Sequence, residues 1–213
     1  MHYPGQPPED FAEYTNDPGG PLTGEEGKAK RLEAWRAMES IKAEGRARAI
    51  GVRRTNISEM SCAVRWSISW SVCLCGQVSN YCQRHIEETE AAGMSLPEVN
   101  QIECHPRLPQ SALVDYCHSR GILVTAFSPL NGANLEDPAL TAIAERHGVG
   151  AGAVVLRWLL DRGCSVLPMS MTPARVRDNL AAPATFALTE DDMAAIAGLE
   201  DGHRLDIDVD SVL

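Results

Sequence analysis

The chain has 213 residues, of which 44% are hydrophobic and 23% are charged, which is ordinary for one globular domain and excludes a chain that is disordered or collagen-like throughout. Nineteen lysines and arginines against 29 aspartates and glutamates leave a net charge of -10, which argues against a nucleic-acid surface. Because no apolar run reaches the roughly 18 residues of a membrane span and the start of the chain does not resemble a signal peptide, we expect a soluble cytoplasmic protein.

The first fifty residues predict a loop, a helix and a short strand. Prolines and glycines crowd residues 4–23, which predicts a loop. From Glu25 to Arg48 the pattern is that of an amphipathic helix ended by Gly45, with apolar positions at Leu32, Trp35, Met38 and Ile41. Residues 49–52 (AIGV) are typical of a short buried strand.

Residues 53–77 differ in composition from their surroundings. Five serines, three cysteines and two tryptophans occupy these 25 positions, and Trp66 to Val72 alternates with the period of a strand. Cys62, Cys73 and Cys75 could suggest metal binding, but structural zinc sites use two closely spaced pairs, so we favour an unrelated insert. The odd total of seven cysteines, mostly in apolar settings, indicates reduced thiols.

The second half of the chain alternates between helical and strand patterns. Helices are predicted at 82–92, 111–120, 138–147, 153–160 and 173–180, with strands at 99–104, 122–127 and 165–169. Thr189 begins a last helix, because a hydroxyl at its start is followed by carboxylates in its first turn. This alternation predicts an α/β fold with a parallel sheet covered on both faces, most naturally a (β/α) barrel with its chemistry at the carboxyl ends of the strands.

Five sequence strings, in order along the chain, point to one family. They are HYPG at 2–5, AIGV at 49–52, VNQIECHP at 99–106, AFSPL at 126–130 and LPMSMTPARVRDNL at 167–180. Together they resemble the aldo-keto reductases, over nearly all of the chain outside residues 53–77. The resemblance implies an NADPH-dependent (β/α)8-barrel enzyme, usually monomeric, that reduces small aldehydes and ketones and needs neither nucleic acid nor membrane.

Compared with this family, the chain corresponds to an incomplete TIM barrel, from the end of strand 4 through strand 8 and the C-terminal helix. We therefore expect one partial domain over residues 1–213, interrupted by the atypical insert at 53–77. In the family, AIGV runs directly into Ser-Asn, and removing the 26 residues 52–77 would join the chain as IGVSNYC. Valine codons begin with GT and a glutamine codon can end in AG, so we interpret Val52 to Gln77 as a retained intron or a gene-model error rather than a loop insertion.

Catalytic residues are implied only by the resemblance. The family protonates the carbonyl oxygen with a Tyr supported by a Lys and an Asp, and orients the carbonyl with a His. By resemblance His2 is that His. The Tyr, Lys and Asp belong to strand ends earlier than His2, and the tyrosines of this chain match none of those positions; they are Tyr3, Tyr14, Tyr81 and Tyr116.

The cofactor contacts of the family match this chain more completely. Ser79, Asn80 and Gln101 correspond to contacts of the nicotinamide carboxamide, and Phe127 to the residue that stacks on its ring. The remaining matches are Ser128 and Leu130 at the pyrophosphate, Ser170, Thr172 and Arg175 at the adenosine 2′-phosphate, and Asp178 and Asn179 at the adenine. NADP is the expected cofactor, with NAD possible because Met169 stands where the family commonly has Lys.

Two functions of different classes follow from these matches. One is NAD(P)H-dependent reduction of aldehydes and ketones. The other is a non-catalytic half-barrel, lacking the catalytic Asp, Tyr and Lys, that acts only as a binding or interaction piece. Each cofactor match also has an ordinary structural explanation, since Gln101 could simply satisfy backbone groups at a strand end and Arg175 could be a solvated helix charge. The other five histidines have no spacing that suggests a metal site.

Overall fold

The protein is described by a computed structural model, which covers residues 24–50, 78–79 and 81–205. Predictions that concern residues 1–23, 51–77, 80 and 206–213 lie outside these residues. The helices are α1 Gly24–Ala43, α2 Gln83–Ala91, α3 Ser111–Ser119, α4 Pro138–His147, α5 Ala151–Asp161, α6 Pro173–Ala181 and α7 Glu190–Ala197. The strands are β1 Val78–Ser79, β2 Val99–Glu103, β3 Leu123–Phe127 and β4 Ser165–Leu167.

The four described strands form one parallel sheet in the order β1-β2-β3-β4. Each described crossover between neighbouring strands contains helix, which is the connection that parallel pairing requires. The predicted α/β fold with a parallel sheet is therefore confirmed, and the helices predicted from residue 82 onward occur within a few residues of their expected ends. None of the helices in the described ranges is long and apolar enough to cross a membrane.

Three predicted boundaries differ from the structure. The first helix ends at Ala43, because Gly45 turns the chain with a φ of 73° and the Arg46 N–H closes the turn onto an earlier carbonyl. The strand predicted at 49–52 is not formed at 49–50, since the Glu98 carboxylate takes the N–H of Ile50 at 2.6 Å. β4 ends at Leu167 rather than residue 169, because the next residue is a proline with no N–H to donate.

The sheet has two chemically different faces. Ile102, Val124 and Ala126 are fully buried against the helices. Side chains alternate across a strand, so the neighbouring residues point to the other face. On that face Leu123 and Leu167 are each 47% exposed. The prediction that both faces are covered is therefore wrong at these two positions, and we call this second side of the sheet the open face.

Gly132, in the loop after β3, lies against the ring of His105. A Cβ atom at this position would come within 2.0 Å of the His105 Nε2 and Cδ2 atoms. Because the His105 side chain is completely buried, its ring has no room to retreat. Glycine is required here for close approach rather than for backbone conformation.

We expect Gly132→Ala to lower the free energy of unfolding by about 1–3 kcal/mol, the usual cost of overpacking a well-packed site. Gly152→Ala is the matched control, because its Cβ would make only an ordinary contact of 3.7 Å with Leu130. Urea denaturation of both variants measures the difference. Equal stability of the two variants would contradict the close packing of Gly132 and His105.

The last helix is fixed by a buried carboxylate. Thr189 caps α7, its hydroxyl accepting from the Asp192 N–H while the Asp192 carboxylate accepts from the Thr189 N–H, as the sequence predicted. The same carboxylate binds Arg146 and His147 of α4, with His147 Nε2 at 2.9 Å. Burial alone raises the pKa of Asp192, but the hydrogen bonds from His147, Thr189 and Arg146 outweigh it and hold the pKa well below its ordinary value.

A folded-state pKa below the unfolded value means that Asp192 contributes stability above pH 3.8, the ordinary pKa of an aspartate, and loses it as the pH falls further. We expect Asp192→Asn to cost about 2 kcal/mol at pH 7, and this difference to shrink below about pH 4. Asp161→Asn, which breaks a surface pair with Arg157, should cost less than about 1 kcal/mol. Thermal unfolding at several pH values tests both; a difference for Asp192→Asn that does not change with pH would be contrary to this assignment.

Candidate functional site

Polar side chains form a row across the open face of the sheet. Gln101 of β2 is in register with Thr125 of β3, which is in register with Ser165 of β4. Partners in a parallel register lie side by side on one face, and the hydroxyls of Thr125 and Ser165 are 3.3 Å apart. Gln101 and Thr125 are buried, at 7% and 4% exposure. Such a row can orient a polar ligand that lies across the strands.

Three of the four predicted nicotinamide contacts fall at this row or next to it. The backbone of Ser79 is in register with Gln101, so the two residues lie at the same level of neighbouring strands. Phe127 is the last residue of β3, two positions beyond Thr125, and its half-buried ring is therefore on the same open face. Asn80 and His2 are outside the described residues.

The predicted pyrophosphate contacts begin a loop with an unusual backbone. Ser128 has a φ of 51°, a left-handed conformation that few residues other than glycine adopt. Its carbonyl accepts from the Gly132 N–H at 3.2 Å, which closes the loop at 128–132 around Leu130. Uncommon backbone conformations of this kind cluster at ligand-binding sites.

The predicted 2′-phosphate contacts surround the start of α6. Thr172 is the N-cap residue, but its side chain makes no capping hydrogen bond, and Pro173 follows at the first helical position. The Ser170 hydroxyl accepts from the Thr172 N–H at 3.2 Å. Arg175 is exposed in the first turn. An exposed helix N-terminus next to a guanidinium is a favourable position for a phosphate.

The predicted adenine contacts lie further along the same helix. Asp178 is exposed and Asn179 is half-buried, and no residue of α6 is buried. Met169, before the helix, is 83% exposed. Since β3 and β4 are parallel neighbours, the loops that follow them leave from the same edge of the sheet. The structure thus brings the Phe127–Leu130 and Ser170–Asn179 segments to one edge of the sheet, the edge formed by the carboxyl ends of the strands.

Sequence reasoning missed a buried pair at the end of β2. Glu103 and His105 are completely buried, and His105 Nε2 lies 3.0 Å from Glu103 Oε1. It also missed Thr125 and Ser165. The available signal for Thr125 was a hydroxyl inside the otherwise apolar strand LVTAF, at the spacing that places it two residues before Phe127.

Other polar groups in the described residues have structural roles. No group of three His, Cys, Asp or Glu side chains there is arranged to hold a metal ion. His85 contacts its cap residue Cys82 at the start of α2. All four cysteines in the described ranges are buried; they are Cys82, Cys104, Cys117 and Cys164. Burial raises the pKa of Tyr81 to about 12, which makes its phenol a weaker acid than usual.

The chain is similar to known proteins over most of its length. The sequence model of the Aldo/keto reductase family matches residues 10–201. The chain is 36% identical over 187 residues to an uncharacterized oxidoreductase, YtbE, of Bacillus subtilis, and 35% identical over 188 residues to the glyoxal reductase of that bacterium. These alignments cover 87% and 88% of this chain.

A solved structure matches the fold as well. A variant of Gox0644 in complex with NADPH superposes with a TM-score of 0.68 at 31% identity, covering 84% of this chain and 57% of that one. The chain spans only 56% and 58% of the two bacterial relatives. Because the family model covers most of the chain and the parallel α/β fold agrees with it, the protein belongs to the aldo/keto reductase family.

Proposed function

We propose that the chain is the nucleotide-binding part of an NADPH-dependent reductase that converts aldehydes or ketones to alcohols. In this proposal the sheet is the portion of a (β/α)8 barrel from the end of strand 4 through strand 8, in one partial domain over residues 1–213. The open face would be the inner face of that barrel. The family membership and the NADPH complex of the similar Gox0644 variant support the proposal.

The register of the sheet is the observation that carries this proposal. It aligns Gln101, Thr125 and Ser165 on the open face and puts Phe127 one level closer to the carboxyl edge. An amide side chain and an aromatic ring on the same face suit a nicotinamide, because the amide can pair with the carboxamide while the ring stacks on its face. Ser79, in register with Gln101, and Asn80 after it would complete the contacts with the carboxamide.

The loops at the carboxyl edge fit the rest of NADPH. Ser128 and Leu130 would lie along the pyrophosphate. The exposed start of α6 offers Ser170, Thr172 and Arg175 to the 2′-phosphate, where a guanidinium can form two hydrogen bonds with one phosphate. Asp178 and Asn179 would contact the adenine. Met169 supplies no charge, so the preference for NADP over NAD depends on Arg175.

When bound, NADPH would supply a hydride to the carbonyl carbon, and the proton for the oxygen would come from the family's Tyr, which belongs to a strand end earlier than His2. The protein must hold the carbonyl carbon next to the nicotinamide. Gln101 and Phe127 would fix the orientation of the ring, and His2 would hydrogen-bond the carbonyl oxygen. The Thr125 and Ser165 hydroxyls, next to Gln101 in the row, keep that side of the site polar. The substrate class is an aldehyde or ketone, for which glyoxal is a suitable probe because a similar protein is a glyoxal reductase.

Dinucleotide binding without turnover is the second candidate. The tyrosines in the described residues favour it, because neither is placed as a proton donor at the row. Burial raises the pKa of Tyr81 to about 12, and Tyr116 lies on α3, a helix that packs on the covered face. NADPH oxidation with glyoxal separates the candidates: oxidation that falls in His2→Ala supports reduction, and binding without oxidation supports the second candidate.

The contribution of the 2′-phosphate can be tested with one arginine pair. We expect Arg175→Ala to weaken NADPH binding about tenfold, the effect of losing a charge-assisted hydrogen bond, and to leave NADH binding unchanged. Arg177→Ala, also an exposed arginine of α6, is the matched control. Calorimetric titration with both nucleotides measures the change. A loss of NADH affinity equal to that of NADPH would place Arg175 away from the 2′-phosphate.

Stacking on the nicotinamide can be tested within β3. We expect Phe127→Ala to weaken binding of NADPH about fivefold, since an aromatic stack contributes roughly 1 kcal/mol. Leu123→Ala changes an exposed side chain on the same face at the opposite end of the strand and should leave binding unchanged. Quenching of protein fluorescence on titration with NADPH provides the measurement, and equal affinities of the two variants would argue against nicotinamide at Phe127.

The insert is a further proposal, because residues 52–77 lie outside the described part of the chain. We infer that this segment is a retained intron or a gene-model error, and that its removal joins Gly51 to Val78 at the nicotinamide end of the site. Mature transcripts that all encode these 26 residues, with no spliced form lacking them, would refute this origin. The variant without residues 52–77 should bind NADPH more tightly than the full chain.

A further inference from the structure

A short C-terminal segment is anchored to the end of β2. We call residues Asp201–Leu205 the strap. The Arg107 guanidinium donates two hydrogen bonds to Asp201 Oδ2, from Nε at 2.9 Å and Nη2 at 2.6 Å. The Asp201 and Gly202 N–H groups both donate to the Arg107 carbonyl, at 3.2 and 3.0 Å. These four bonds place the strap beside the carboxyl end of the strand that carries Gln101.

The far end of the strap continues into the interior through Glu103. The Leu205 N–H donates to Glu103 Oε1 at 2.7 Å, and the same oxygen lies 3.0 Å from His105 Nε2. The side chains of Glu103 and His105 are both completely buried. Burying a carboxylate and an imidazole is costly unless their hydrogen bonds are made, so displacement of the strap would cost Glu103 the hydrogen bond from the Leu205 N–H.

His105 in turn touches the loop after β3. Its Nε2 edge faces Gly132 so closely that a Cβ atom there would come within 2.0 Å. The Gly132 N–H donates to the Ser128 carbonyl, next to the left-handed φ of 51° at Ser128. A movement of the His105 ring would therefore push directly on the loop at 128–132.

We propose that Glu103 and His105 are positioning residues that couple the strap to the 128–132 loop, so that a seated strap holds this loop in the shape that receives the dinucleotide. The coupling itself follows from the contacts from Leu205 through Glu103 and His105 to Gly132. Its effect on affinity rests on the proposed function, in which Ser128 and Leu130 contact the pyrophosphate. Coupling of this kind is reciprocal, so bound NADPH should also hold the strap more firmly.

The test weakens the attachment of the strap at Asp201 and measures amide exchange in the loop at 128–132. Asp201→Ala removes a half-exposed carboxylate without touching Glu103 or His105, and Glu90→Ala is its matched control, because Glu90 is similarly exposed and pairs with Arg120. In Asp201→Ala we expect amide exchange at Leu205 and at Gly132 to accelerate together, by about fivefold. The variant His105→Leu, in which residue 105 cannot bond to Glu103, should accelerate exchange at Gly132 even with Asp201 in place.

Faster exchange at Leu205 with Gly132 unchanged would overturn the coupling. Unchanged exchange at Leu205 in Asp201→Ala would overturn the anchoring of the strap by Asp201, on which the coupling depends. The effect of the strap on NADPH binding is measured separately. If the unaltered chain binds NADPH, Asp201→Ala should weaken binding about fivefold and NADPH should slow exchange at Leu205. Equal affinity of the Asp201→Ala and Glu90→Ala variants would refute the effect on binding. Failure of the unaltered chain to bind NADPH would refute the proposed function and leave the exchange test of the coupling intact.

Discussion

The parallel register of β2, β3 and β4 is the constraint on which the rest of the structure depends. It aligns alternate residues into two sets, one buried against the helices and one on the open face. A shift of one residue in β2 would place Asn100 on the open face in the position of Gln101. In the observed register Asn100 is on the covered face and donates to the Tyr81 carbonyl at 2.9 Å. The covered face must be largely apolar, and the register that buries its residues therefore also determines which polar side chains lie on the open face.

Much of the fold could be predicted from the sequence because the local signals agree. Helix α4 begins and ends where its pattern indicates, with Asp137 capping one end and Gly148 closing the other in a left-handed conformation. The predicted strand at 49–50 failed because its hydrogen-bond partner, the Glu98 carboxylate, is distant in sequence. The covering of both faces was predicted wrongly at Leu123 and Leu167, since the apolar character of a side chain does not reveal what packs on it.

The candidate site was predictable to a different extent at each position. The family resemblance predicts Gln101, Phe127 and the segment from Ser170 to Asn179. The structure adds that Gln101 and Phe127 lie on one face of the sheet and that the loops after β3 and β4 leave from one edge. The resemblance could not identify Glu103 and His105, because their contacts with Leu205 and Gly132 are not encoded in any local sequence pattern. Buried polar pairs of this kind become visible only when the folded chain brings distant segments together.

We propose above all that the nicotinamide binds on the open face at the level of Gln101. A crystal structure of the chain with NADP⁺ tests it most directly. We expect the carboxamide to pair with Gln101, Phe127 to stack on the nicotinamide, and the 2′-phosphate to lie at the start of α6 beside Arg175. A nucleotide bound on the helix-covered side, or one that reaches α6 with its nicotinamide away from Gln101, would contradict it.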